Sequence, residues 1–337
     1  MNTGKKILII RFSSIGDILL ATPFIRQTRM AFPEATIDIV VKQRFSDLVR
    51  FNPHINHIYS FNEAEGIAGL LEIRKQIHRQ KYTYIFDLHN NLRSRILTFG
   101  ISAAVSRIQK DKLKRALLVY TKINLYKEPV PIPKRYLETG KIGGIKDDGN
   151  GLEIFWKNHI EENLFDVVNR KLLMHSFVAL APGAGFKTKR WPLGYFKELI
   201  KMIQERKNLP IVLLGDQKDA LQMGMLEKLP NVFNLAGKLT LLESAIMISK
   251  AKFLVSNDSG LMHMATAVKT PVVAIFGSTV EAFGFFPFRS QYKIVQKEGL
   301  WCRPCSHIGR TFCPLGHFKC MTDLSPNLVF RHLKDWL

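Results

Sequence analysis

The chain has no run of the roughly 18 uninterrupted apolar residues that a membrane-crossing helix needs. Its first residues lead straight into an apolar segment, without the charged start, apolar core and small-residue cleavage site of a leader, so a cytoplasmic location is expected. Cysteine is scarce: four residues, all between 302 and 320, which excludes a disulfide framework spread over the fold. Acidic residues are also few, 28 against 49 Lys and Arg, leaving a net charge of +21. Low-complexity tracts and short-period repeats are absent. So are helix-turn-helix, zinc-finger and aromatic RNA-binding patterns, which argues against a non-enzymatic nucleic-acid binder despite the charge.

What remains is a chain of 337 residues with 46% hydrophobic and 23% charged content, the make-up of a globular protein too long for one core. The basic excess is spread evenly. There are 27 basic and 17 acidic residues up to position 170, and 22 against 11 beyond it. An even excess suggests a polyanionic partner: a phosphorylated substrate, a nucleic acid or an anionic membrane surface.

Apolar, strand-like runs alternate with helical periodicity along the chain. Lys6 to Ile10, Thr36 to Val41, His54 to Tyr59 and Tyr82 to Phe86 read as strands; residues 43–51 and 66–80 read as helices. Residues 126–151, rich in Pro, Gly and Lys, read as irregular. A second series follows: strands at 176–180, 210–214, 253–255 and 271–276, and helices at 193–207, 217–229 and 240–250. This alternation predicts an α/β fold with two doubly wound parallel sheets.

Chemistry concentrates where strands end. Arg11-Phe12-Ser13-Ser14-Ile15-Gly16-Asp17 closes a strand and opens a helix. Helix-start amides attract anions, so a carboxylate there suits proton acceptance better than phosphate binding. In the second half, small turns at 182–185, 215–217, 257–260 and 277–279 all follow strands, as the wall of a nucleotide or sugar-phosphate site does. Asn257-Asp258-Ser259-Gly260 precedes the helix holding His263, where amides can hold a diphosphate or Asp258 or Ser259 can act only as a cap. Lys187, Lys189 and Arg190 lie in a loop anchored by Trp191-Pro192, placed to neutralise a departing phosphate. The four cysteines, C-x2-C-x7-C-x6-C, read either as a closed zinc site at Cys302, Cys305, Cys313 and Cys320 or as a structural cluster shaping the end of that half.

Taken together, Ser13 to Asp17, Asp87-Leu88-His89-Asn90-Asn91-Leu92-Arg93-Ser94, Pro182-Gly183-Ala184, Lys189 to Pro192, Gly215-Asp216, Ala236-Gly237-Lys238, Asn257 to His263 and the cysteine tail resemble the bacterial family 9 glycosyltransferases. The resemblance spans residues 5 to about 326. It implies a GT-B fold: a Rossmann-like acceptor domain, 1–170, facing a nucleotide-sugar domain, 171–337, across a cleft, with the last helix packing back on the first domain. The implied reaction is inverting transfer of heptose from ADP-heptose to the lipopolysaccharide inner core, with no required cofactor. Asp17 is the implied base and Lys189 its electrostatic partner at the donor phosphates.

Gly183, Lys189, Arg190, Gln217, Gly237, Lys238, Asp258, Ser259, Gly260 and His263 are the expected donor contacts, and Ser13, Ser14, Gly16, Arg93 and Ser94 the expected acceptor contacts. Gln217 departs from the family, some of whose members carry a ribose-binding glutamate there. Arg93, Arg95 and the basic run 107–115 are assigned to the acceptor half, facing an anionic lipopolysaccharide at the inner face of the inner membrane. Transfer from another nucleotide sugar, or nucleotide-sugar epimerisation on the same fold, is the alternative.

Overall fold

Strand β1, Lys6–Ile10, is five residues of almost pure aliphatic side chain, and it takes the centre of a five-stranded sheet because both its faces must be covered. The sheet runs β3–β2–β1–β4–β5, every pairing parallel, with β2 at Thr36–Lys42, β3 at His57–Phe61, β4 at Tyr84–Asp87 and β5 at Ala104–Arg107. A second parallel sheet runs β11–β10–β9–β6–β7–β8. Its strands are β6 Val178–Ala181, β7 Ile211–Leu213, β8 Val232–Asn234, β9 Leu254–Asn257, β10 Val272–Phe276 and β11 Tyr292–Gln296. The structure is a computed structural model that describes residues 4–168, 172 and 176–337. The domain boundary expected between 170 and 171 lies outside them.

Each sheet belongs to its own unit. One comprises residues 4–110 and 131–155; the other comprises 111–130 with the described residues from 156 onward. Both have the strand order of a doubly wound sheet, in which the winding direction reverses between two neighbouring strands. In the first unit the reversal lies between β1 and β4, and in the second between β6 and β9. Chain leaving these strand pairs turns to opposite faces of the sheet, which opens a crevice at the carboxyl ends.

The division differs from a single cut, for visible reasons. Residues 131–155 stay with the first sheet because Arg26 pairs with Asp148 at 2.6 Å and with Glu153 at 2.5 Å. Residues 111–130 join the second because Leu118 and Val119 pack on Phe283. Helix Asn158–Val167 joins it too, Glu161 pairing with Lys250 at 2.6 Å. The basic run 107–115 is therefore split, Lys112, Lys114 and Arg115 lying in the second unit rather than in the acceptor half. The last helix, Pro326–Arg331, packs on Leu193–Lys207 inside the second unit, where Val329 and Leu333 enter the core; the expectation had it return to the first.

Smaller departures have local causes. The first helix is two, Ile15–Leu20 and Thr22–Ala31, broken at Ala21 ahead of Pro23. Residues 43–48 form a 3₁₀ turn instead of an α-helix. The supposedly irregular 126–151 contains helix Ile132–Gly140, whose Pro131 and Pro133 stand where a helix start tolerates them. The helix expected over 217–229 is cut in two, Gln217–Gln222 and Gly224–Glu227. Strand β3 begins three residues later than read. Among the described residues no helix is long and apolar enough to cross a membrane.

Candidate functional site

In the first unit the β1–β4 crevice is built around one buried cation. Arg11, the residue after β1, donates from Nη1 to the Leu88 carbonyl at 2.6 Å and from Nε to the Ser13 carbonyl at 2.8 Å. Its Nη2 lies 2.5 Å from Asp17 Oδ1. One guanidinium thus ties both strand-tip loops and the carboxylate together. Ser14, at the N-cap, donates to Asp17 Oδ2 from its amide at 3.0 Å and its hydroxyl at 2.8 Å. Burial pushes the Asp17 pKa up, but the Arg11 charge and the Ser14 bonds outweigh it and hold Asp17 below the usual carboxylate range. Asp17 is half-buried.

The neighbouring loop is a cradle for Asp87. This fully buried carboxylate accepts the amides of His89 at 3.0 Å and Asn90 at 2.7 Å on one oxygen and the Ser94 hydroxyl at 2.7 Å on the other. Ser94, expected to touch the acceptor, is buried with its hydroxyl committed to Asp87 and to the cap of helix Leu92–Thr98. Arg93 is exposed, its guanidinium 5.9 Å over Phe61. Gly16 is buried in the first helical turn, and Ser13 contributes its carbonyl. His89 stands edge-on to Phe12, and burial together with Arg11 and Lys110 depresses its pKa to about 3, so it is neutral at physiological pH. Replacing Asp87 by Ala strips the His89 and Asn90 amides of their acceptor, while the Ser94 hydroxyl keeps the Asn91 carbonyl at 3.0 Å. A loss of roughly 2–4 kcal/mol is expected in urea unfolding.

The second unit's crevice is assembled from the tips of β6, β9 and β10. Lys189 Nζ sits 2.7 Å from Asp258 Oδ2, and the Thr279 hydroxyl donates to the same oxygen at 2.6 Å. Asp258 is buried beneath them. Asp258 is therefore the counter-ion that holds Lys189 in place. Asn257 locks the loop, donating to the Pro182 carbonyl at 2.6 Å and accepting the Trp191 amide at 3.1 Å. The Trp191 indole, buried and bonded to the Leu324 carbonyl, is the anchor expected for that loop.

Ser259 occupies the N-cap of helix Gly260–Ala267, yet its side chain makes no capping bond and its hydroxyl lies 3.2 Å from Ser256. The helix thus begins with no side-chain cap on its amides, as an anion site requires. His263 in that helix is only 3% exposed and belongs to its packed part.

The remaining donor candidates lie on loops and helix starts of the same unit. Arg190 donates to the Ala184 carbonyl at 2.8 Å and to Gln222 at 2.7 Å, and Lys238 donates to the Asn234 carbonyl at 2.9 Å. Gln217 is exposed at its helix start. Gly183 leaves room for Asp219: a Cβ there would meet that carboxylate at 2.1 Å. Gly237 has φ +70°, and a Cβ would fall 2.8 Å from Gln217 Cα. Gly237→Ala is expected to displace the Gln217 turn, weakening donor binding about tenfold by calorimetric titration, and to lower the melting temperature through the strain of a side chain at positive φ.

All four cysteines are free thiols, and together with His317 they line a cavity of about 30 Å³. Among the described residues no three Cys, His, Asp or Glu side chains are grouped to hold a metal ion. The tail buttresses the loop that carries Lys189. The Arg310 amide donates to the Thr188 hydroxyl at 2.7 Å, and the Thr188 amide donates to the Arg310 carbonyl at 3.0 Å. Gly309 lies against Phe186 and Lys189.

Sequence reasoning gave no role to Arg11, His89 or Thr279. Arg11 was open to notice, being a cation directly after an apolar strand and six residues before the carboxylate. Thr279 shows only in three dimensions.

Two parallel doubly wound units, one presenting a held carboxylate and the other a lysine beside a helix start, define the chain as an α/β protein of GT-B type. Residues 70–315 match the family described as Glycosyltransferase family 9 (heptosyltransferase), and the chain belongs to that family. It is similar to the lipopolysaccharide heptosyltransferase 2 of Escherichia coli, 27% identical over 295 residues, covering 82% of this chain and 84% of that protein. Among solved structures it resembles a family 9 glycosyltransferase from Veillonella parvula, with a TM-score of 0.78, 19% identity, and 100% and 98% of the two chains covered. It also resembles the E. coli ADP-heptose lipopolysaccharide heptosyltransferase II, with a TM-score of 0.74, 20% identity, and 98% of each covered.

Proposed function

We propose that this heptosyltransferase moves heptose from ADP-heptose onto the inner core of lipopolysaccharide, inverting the anomeric centre and needing no metal ion. Asp17 takes the proton of the acceptor hydroxyl as that oxygen attacks the anomeric carbon. Lys189 and the amides at the start of helix Gly260–Ala267 take up the charge that grows on the leaving diphosphate. The carrying observation is the Lys189–Asp258–Thr279 arrangement beside a helix start whose N-cap side chain makes no capping bond: a fixed cation and fixed dipoles aimed at one place.

The acceptor half adds Arg93 and Arg95, both exposed, for an anionic sugar. Because that acceptor is lipid-linked, the enzyme works at an anionic membrane face. Purified protein incubated with a panel of nucleotide sugars and truncated lipopolysaccharides tests the reading. The product mass should rise by one heptose with the ADP sugar, and transfer from a different nucleotide sugar alone would replace it.

A further inference from the structure

Residues 112–127 carry five Lys or Arg and no Asp or Glu, and residues 300–322 carry Arg303, Arg310 and Lys319, again with no acid. Both stretches lie in the second unit. Both also expose large apolar side chains that a soluble surface has no use for: Leu113 is 72% exposed, Tyr120 77%, Trp301 72% and Phe312 67%. Ile123, Leu125 and Ile308 are exposed beside them.

The two stretches are joined. Lys122 Nζ donates to the carbonyls of Cys302 at 3.2 Å and Pro304 at 2.7 Å, which sets Ile123 and Trp301 on adjoining segments. Leu118 and Val119 of helix Lys112–Tyr120 pack on Phe283. Leu113 and Tyr120, seven residues apart, share a stripe that this contact leaves uncovered.

We propose that this surface docks the second unit on an anionic lipid bilayer. Exposed aliphatic side chains with Trp and Tyr, on segments that also carry the exposed cations Lys112, Lys114, Lys127 and Lys319, are the composition of an interfacial anchor: the apolar groups enter the headgroup boundary and the cations meet lipid phosphates. A protein partner or a second copy would satisfy the apolar stripe equally well. Neither calls for two joined stretches that carry basic residues and no acid, and charge complementarity selects the bilayer. The inference rests on the reading that the acceptor is lipid-linked, and it moves the membrane contact from the acceptor half, where the run 107–115 had placed it, to the donor half.

The test uses the full chain with vesicles of phosphatidylcholine alone or mixed with phosphatidylglycerol. Co-sedimentation should require the anionic lipid and fall as salt is raised. Tryptophan emission should shift to the blue on binding, and the shift should vanish in Trp301→Phe. The triple variant Leu113→Ser, Tyr120→Ser, Ile123→Ser should bind at least about tenfold more weakly. Lys112→Glu with Lys114→Glu and Lys127→Glu should abolish the preference for anionic vesicles.

Binding by both variants equal to the parent, salt-insensitive binding, or a change in oligomeric mass in place of a change in sedimentation would overturn the proposal. Transfer to a delipidated core oligosaccharide should be unaffected in both variants. If the unmodified chain fails that transfer while still binding vesicles, the fault lies in the assigned reaction and not in the docking surface.

Discussion

Asp17→Asn should retain donor binding and lose turnover by about 10²–10⁴, the usual value of a positioned base. Asparagine keeps the shape and can still accept from Ser14, but it removes the charge that draws a proton from the acceptor hydroxyl. It also leaves Arg11 buried without its counter-ion, so a drop in melting temperature accompanies the kinetic loss. The ADP dissociation constant, unchanged if the second unit is intact, separates the two effects. Normal turnover in this variant would remove Asp17 from the mechanism.

The pH dependence carries a second signature of the same carboxylate. Arg11 and Ser14 hold the Asp17 pKa below its unfolded value of about 3.9, against the upward push of burial. The stabilisation from the pair is therefore complete above that value and disappears as pH falls through the folded pKa. The acid limb of kcat/KM that belongs to Asp17 should accordingly lie below the ordinary carboxylate range. Replacing Arg11 by Met should move that limb upward, whereas a purely structural arginine would lower the rate at every pH without moving it.

The central strands were legible because β1 and β10 are uninterrupted apolar runs, and a parallel strand buried on both faces admits little else. Three of the four edge strands were not. Ala104–Arg107, Val232–Asn234 and Tyr292–Gln296 are short and partly polar, since an edge strand needs less apolar cover. The strand-tip turns announced both crevices, because small residues and helix starts are what a switch point demands. What the sequence could not convey was which groups pair across the fold. Asp258 reads as a ligand in its own motif and becomes a counter-ion only when the β6 loop brings Lys189 to it. Residues 111–130 read as part of the first domain because the Phe283 that receives Leu118 and Val119 is more than 160 positions away.

Lys189→Met should be the costliest change in the second unit, lowering kcat by about 10²–10³. The ammonium is fixed before the donor arrives, by Asp258 beneath it and by the loop that Trp191 and the cysteine tail anchor. Its charge therefore meets the leaving diphosphate with little reorganisation, and methionine supplies the stem without it. Asp258→Asn should cost less, since Thr279 and the loop contacts still restrain Lys189, and its effect should fall mainly on kcat because the lysine is mis-aimed rather than lost.

The two substitutions act through one group, so the double variant should be scarcely worse than Lys189→Met alone. Additive losses would mean that Asp258 touches the donor directly. A Lys189→Met enzyme with full kcat and only a raised KM would reduce the lysine to ground-state binding.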